Sequence, residues 1–115
     1  MTLEDIRATL GCEVLACEDK LSVDVMAAFG SDLMSDVLAF IKPGSLLLTG
    51  LVTQQSVRTA DVADARAILY VRGKHPTDES IELAVEKGIP LLCTAFTMYE
   101  ACGKLYAAGL PALRI

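Results

Sequence analysis

The sequence predicts an α/β fold with a mainly parallel central sheet flanked by helices. Three observations predict it. The second half of the chain carries three short apolar runs, SLLLTGLV, RAILYVRG and IPLLCTA, and such runs without polar alternation suit strands buried on both faces. The stretches between them carry helix boundary signals. The links are short, so strand, helix and next strand close as right-handed crossovers, which stack parallel strands into one sheet.

Taken in order, Thr2 followed by Asp5, then Ile6 and Leu10 with Gly11 behind, makes a short capped helix, and Glu4 and Asp5 suit its positive end. CEVLAC and VDVMAAF have strand character, are separated by the turn-like EDKLS, and are expected to pair with each other. In SDLMSDVLAF, Leu33, Met34, Val37, Leu38, Phe40 and Ile41 fall on one arc at about 100° per residue. Asp32, Ser35, Asp36 and Ala39 share the opposite arc, and KPG at 42–44 stops the helix.

SLLLTGLV is the next strand, ending at Gly50, and Thr53 can cap the weakly periodic TQQSVRTADVADA. After the strand RAILYVRG, the segment HPTDESIELAVEKG opens with Pro76 and Thr77, places Asp78 and Glu79 in its first turn, and closes with Lys87 and Gly88. That is a complete set of helix boundaries. IPLLCTA is the last strand, and FTMYEACGKLYAAG the last helix, ending at Gly109 before Pro111.

A chain of 115 residues, 53% hydrophobic and 22% charged, closes one core, so residues 1–115 are expected to form a single domain. No apolar run approaches the roughly 18 residues of a membrane span, and MTLEDIRATL is acidic where a signal peptide is basic. No membrane association and a cytoplasmic location are expected. The net charge of −5 and the scattering of ten Lys and Arg argue against nucleic acid. Cys12, Cys17, Cys93 and Cys102 are expected to be reduced thiols, some of them buried.

Motifs for triphosphate and dinucleotide binding are absent: there is no G-x-x-x-x-G-K-[ST], and no G-x-G-x-x-G follows a strand. His75 is the single histidine, which removes any two-histidine metal site and leaves a Cys-His or Ser-His-Asp arrangement only if built around it. Within RGKHPTD, Lys74 and His75 are either a solvated basic loop or, with backbone N–H groups at a helix start, a weak phosphate or carboxylate site.

The carboxyl edge of a parallel sheet also collects Thr49, Gly50, Thr53, Gln54, Gln55, Thr94 and Thr97, where ligands of open α/β sheets bind. Each also serves as an ordinary turn or cap residue. The Cys12–Cys17 spacing is not C-x-x-C, Cys93 sits in an apolar strand as a core residue, and a four-thiolate site requires all four cysteines to converge. No metal site and no cofactor are expected. The doublets Ser31-Asp32 and Ser35-Asp36 read as caps and a solvated face, since acid/base work needs unlike, partly buried environments.

Three stretches, SDLMSDVLA, KPGSLLLTGLVTQQSV and AILYVRGKHPTDESIELAVEKGIPLLCTAFTMYEACGKLYAAGL, resemble the small stand-alone DRTGG-domain proteins over nearly the whole chain. The resemblance implies a fold like the N-terminal, non-catalytic domain of HPr kinase/phosphorylase; related domains occur in some phosphotransacetylases and in pyrophosphatases that carry CBS domains. Ser31, Asp32, Ser35 and Asp36 match the family's doublets. The naming motif itself is altered: Met26 takes the Thr place, and Ala27 and Ala28 those of the two glycines. Gln54 stands where relatives have His in a Thr-His-Gln run.

The resemblance implies a non-catalytic regulatory or assembly module, similar to proteins that accompany iron-only hydrogenase systems. The expected partners are a second copy of the chain and a protein partner, because so apolar a small domain leaves a patch to cover. The rival reading is a sensor binding a small anion or nucleotide around Thr49, Gly50, Thr53, Gln54, Lys74, His75 and Thr94. An enzyme or metal carrier using His75 or the thiols ranks last.

Overall fold

The chain forms five strands, β1 (Glu13–Ala16), β2 (Ala28–Gly30), β3 (Leu46–Thr49), β4 (Ala67–Tyr70) and β5 (Leu91–Cys93), and five helices, which alternate from β2 onward. The helices are α1 (Leu3–Leu10), α2 (Met34–Phe40), α3 (Gln54–Val62), α4 (Asp78–Lys87) and α5 (Met98–Ala107). The computed structural model describes residues 1–115. The sheet order is β1-β5-β4-β3-β2; β2 to β5 run parallel and β1 joins β5 antiparallel.

Handedness explains the layers. Parallel strands added one after another in the same direction by right-handed crossovers place all their helices on one face. Accordingly Met34, Val37 and Ile41 from the α2 region, Val57 and Ala60 from α3, and Ala84 from α4 pack on Leu47, Ile68, Tyr70, Leu91 and Cys93. The opposite face is covered by α1 and α5, whose Leu3, Ile6, Leu10, Ala101 and Leu105 meet Leu46, Leu48, Leu69 and Leu92. Because side chains alternate along a strand, covering both faces buries every residue of β3, β4 and β5. Each fully buried Leu among them contributes about 1.5–3 kcal/mol by transfer from water.

Local signals set the helix ends. Thr2 and Asp5 form a reciprocal capping box, the Thr77 hydroxyl accepts from Ser80 N–H, and that of Thr97 from Glu100 N–H. Gly88 ends α4 in the left-handed region at φ 71°, where a side chain is strained. Thr53 precedes α3 but its hydroxyl makes no cap bond.

Three further expectations fail. β1 and β2 do not pair; they lie at opposite edges of the sheet. Segment 17–27 runs back along the α1 end of the molecule, where Leu3 and Val25 N–H groups bond Val23 and Met1 carbonyls, and this carries the chain across the sheet. The second correction concerns α2, where Met34 and Val37 are buried while Leu33, Leu38 and Phe40 are exposed. A seven-residue helix over the β2–β3 edge covers only a narrow strip. Third, neither Ser31 nor Asp32 caps α2: Leu33 occupies the N-cap position without a side-chain bond. All four cysteines are free thiols, and no helix is long and apolar enough to cross a membrane.

Candidate functional site

Asp32 leaves the end of β2 and reaches across to β3. Its Oδ1 accepts the Gly50 backbone N–H at 2.6 Å and the Thr49 hydroxyl at 3.2 Å, and the same hydroxyl accepts Leu51 N–H at 3.1 Å. The Gly50 N–H, one of the donors an anion at this edge would use, is therefore held by the chain's own carboxylate. From the end of β4, Lys74 Nζ donates to the Gly50 carbonyl at 3.2 Å. Thr49, Gly50, Lys74 and Asp32 thus form one polar network.

The remaining residues singled out in the sequence separate. Gln54 Oε1 accepts from Arg58 at 2.6 Å along α3, and Thr53 stays exposed at its start. Thr94 is buried and donates to the Leu10 carbonyl at 2.9 Å, anchoring the end of α1. Ser35 and Asp36 are exposed on α2. Ser31 Oγ accepts Leu33 N–H at 3.0 Å, closing a local turn.

His75 enters another neighbourhood. Its Nε2 lies 3.5 Å from Glu13 Oε1 and 3.9 Å from Cys93 Sγ, and Cys93 Sγ lies 3.9 Å from Glu13 Oε1. Glu13 and Cys93 are directly opposed in the β1–β5 ladder, so their side chains project from the same face. Burial, then the facing Glu13 carboxylate, push the Cys93 thiol upward. This is not a nucleophile–base–orienter relay, which uses one ring nitrogen for the nucleophile and the other for the acid. Here both neighbours face the same nitrogen.

Topology explains why the chemistry gathers there. Crevices at the carboxyl edge open where adjacent loops leave toward opposite faces. Between β2 and β4 the loops all go to the α2–α4 face, but β4 feeds α4 on one face and β5 feeds α5 on the other. The divergence lies between β4 and β5, beside His75 and Cys93. Arg72, at φ 61°, and Gly73 bond back to Phe96 and Thr94 carbonyls across it.

The main apolar depression is elsewhere. A groove of about 330 Å³ runs between β2 and α5, lined by Gly30, Leu48, Cys102, Gly103 and Tyr106 among others. Tyr99 and Tyr106 on its rim are 88% and 66% exposed. A Cβ at Gly30 would meet Met98 Sδ at 3.2 Å and Cys102 Sγ at 3.4 Å, so glycine lets α5 approach the strand. At Gly103 a Cβ would meet nothing within 4 Å.

Sequence reasoning missed Glu13, Arg72 and the bridging role of Asp32. Asp32 carried a signal, since it precedes the buried Met34 at a strand-to-helix turn. Glu13 carried none, because the partner of β1 was not readable from local pattern.

Comparison with protein-family models and with curated proteins finds no match. Among solved structures, the chain is similar to the CBS and DRTGG domains of the regulatory region of Clostridium perfringens pyrophosphatase, complexed with its activator diadenosine tetraphosphate. The TM-score is 0.76 at 18% identity, covering 96% of this chain. This chain spans about half of that structure's length, 47%. The similarity is one of fold, and supports the DRTGG-like α/β architecture.

Proposed function

We propose that this chain is a non-catalytic regulatory domain of the DRTGG type that acts as a homodimer, joined through the α5 face. The observation that carries this reading is Gly103. An interior helical glycine costs about 1 kcal/mol relative to alanine, and nothing in the chain's own packing needs it. A close-packed neighbour gives it a use. Tyr99 and Tyr106, about two turns apart on the same helix, supply the large amphipathic side chains that interfaces favour. A second copy offers the same small strip between the same tyrosines, which is the self-complementarity a two-fold interface requires.

Native mass spectrometry and sedimentation test it with Gly103→Leu and Tyr106→Glu, whose sites are exposed and spare the core. The dimer is expected for the wild type and the monomer for both variants, with unchanged circular dichroism. A wild type that stays monomeric at high concentration overturns the reading. The resemblance to hydrogenase-associated proteins supports trying such a system first for a protein partner, by co-purification from cells.

A second reading, a sensor for a small anionic ligand, is favoured by Arg72 and Lys74 at the end of β4 and by the nucleotide activator of the pyrophosphatase region. Ligand at a hundredfold excess over its dissociation constant stabilises the fold by about 2.7 kcal/mol. Inorganic phosphate and diadenosine tetraphosphate are the probes, and an unchanged melting temperature with both removes this reading.

A further inference from the structure

We propose that Glu13, His75 and Cys93 form a binding site for a divalent transition-metal ion of the zinc class, one ion per chain. The proposal is independent of the dimer and anion readings. Its first support is distance: the three ligand atoms stand 3.5, 3.9 and 3.9 Å apart. A tetrahedral zinc with bonds of about 2.3 Å to sulfur and about 2.1 Å to nitrogen or oxygen separates its ligand atoms by about 3.4–3.6 Å. Closing the triangle by about 0.4 Å or less converts one arrangement into the other.

The second support is how the groups are held. Glu13 and Cys93 come from paired positions on adjacent strands, and His75 comes from the β4–α4 connection where the loops diverge. Sites mounted on strands keep their ligand geometry better than sites on free loops. Cys93 is only 5% exposed, and its sulfur faces the Glu13 carboxylate and the His75 ring. A thiol so buried and aimed at an imidazole nitrogen and a carboxylate oxygen is placed as a ligand is.

Ligand chemistry narrows the ion. Thiolate with imidazole favours zinc, cobalt and their neighbours over magnesium and calcium, which take oxygen sets. His75 and Glu13 are 56% and 60% exposed, so the fourth position faces water and the site is open. On binding, the Cys93 S–H bond breaks, the sulfur bonds the metal, and the proton leaves to solvent. The arrangement escapes a search for C-x-x-C or paired histidines because its members are scattered at 13, 75 and 93.

The test is titration of metal-stripped protein with cobalt(II) under anaerobic conditions. Saturation at one equivalent is expected, with intense visible bands of four-coordinate cobalt and a near-ultraviolet thiolate-to-cobalt band, both lost on adding zinc. Cys93→Ser removes the thiolate band and Cys102→Ser leaves it unchanged. His75→Ala and Glu13→Gln, at half-exposed positions that do not endanger the fold, weaken binding by at least the roughly 10–100-fold that loss of an outer partner of a metal site costs. Absence of saturable binding, survival of the band in Cys93→Ser, or unchanged affinity in both His75→Ala and Glu13→Gln overturns the proposal.

Discussion

The Asp32 carboxylate accepts the Gly50 backbone N–H at 2.6 Å and so ties the exit of β2 to the exit of β3. A carboxylate that holds a backbone N–H and a hydroxyl from a neighbouring strand does more than decorate a helix surface. Hydrogen bonds to charged groups contribute about 1.5–3 kcal/mol, so Asp32→Ala is expected to lower unfolding free energy in urea by about that much. Asp36→Ala, exposed and unbonded, is expected to stay within about 0.5 kcal/mol. Equal effects of the two substitutions would refute the distinction.

Tyr70 is fully buried, and its hydroxyl meets Ser56 Oγ at 2.8 Å; Ser56 Oγ also bonds the Thr53 carbonyl at 2.8 Å. Ser56→Ala strands a buried phenol and is expected to cost about 1–3 kcal/mol, whereas Tyr70→Phe leaves Ser56 bonded and costs about 1 kcal/mol. The order of the two, read from denaturation curves, is the check. Burial also pushes the Tyr70 ionisation upward. Its contribution is present below its ordinary value of 10.0 and lost as pH rises through the folded value, so Tyr70→Phe flattens the alkaline fall in stability.

In α1, hydrogen bonds from Thr2 hold the Asp5 carboxyl below its ordinary 3.8, and the Arg7 side chain holds Glu4 below 4.5. Depressed carboxyl values stabilise above the unfolded value and lose that effect as pH falls through the folded one. The stability gap between wild type and the double variant Glu4→Gln, Asp5→Asn is expected to be constant from about pH 7 to about pH 5 and to shrink below about pH 4. A gap that persists in acid contradicts this.

Gly88 closes α4 at φ 71°, and Lys20 Nζ donates to its carbonyl at 2.9 Å. A Cβ there lies 2.7 Å from that nitrogen. Gly88→Ala is expected to cost about 1–2 kcal/mol from the left-handed backbone alone, visible as a lower urea midpoint. An unchanged midpoint would mean the helix end rearranges freely.

Thiol accessibility separates the cysteines. Burial pushes Cys12 up to about 12, so it is expected to be alkylated by iodoacetamide in native protein well after half-buried Cys102. Peptide mapping by mass spectrometry over time reads the order, and early labelling of Cys12 would show that α1 opens readily.

The amino-acid sequence by itself determined the parallel core: β3, β4 and β5 are continuous apolar runs, and the ends of α1, α4 and α5 are written in Thr2, Thr77, Thr97, Gly11, Gly88 and Gly109. These are local properties, set by side-chain period and by which residue tolerates a cap or a positive φ. Tertiary structure decided which strand β1 joins, because pairing depends on where segment 17–27 carries the chain. It decided that Asp32 binds Gly50 instead of capping α2, and that only a narrow strip of α2 is buried. The meeting of Glu13, His75 and Cys93 was decided there too. Residues far apart in sequence become neighbours through cross-strand register and the divergence of two loops, and neither leaves a local pattern to read.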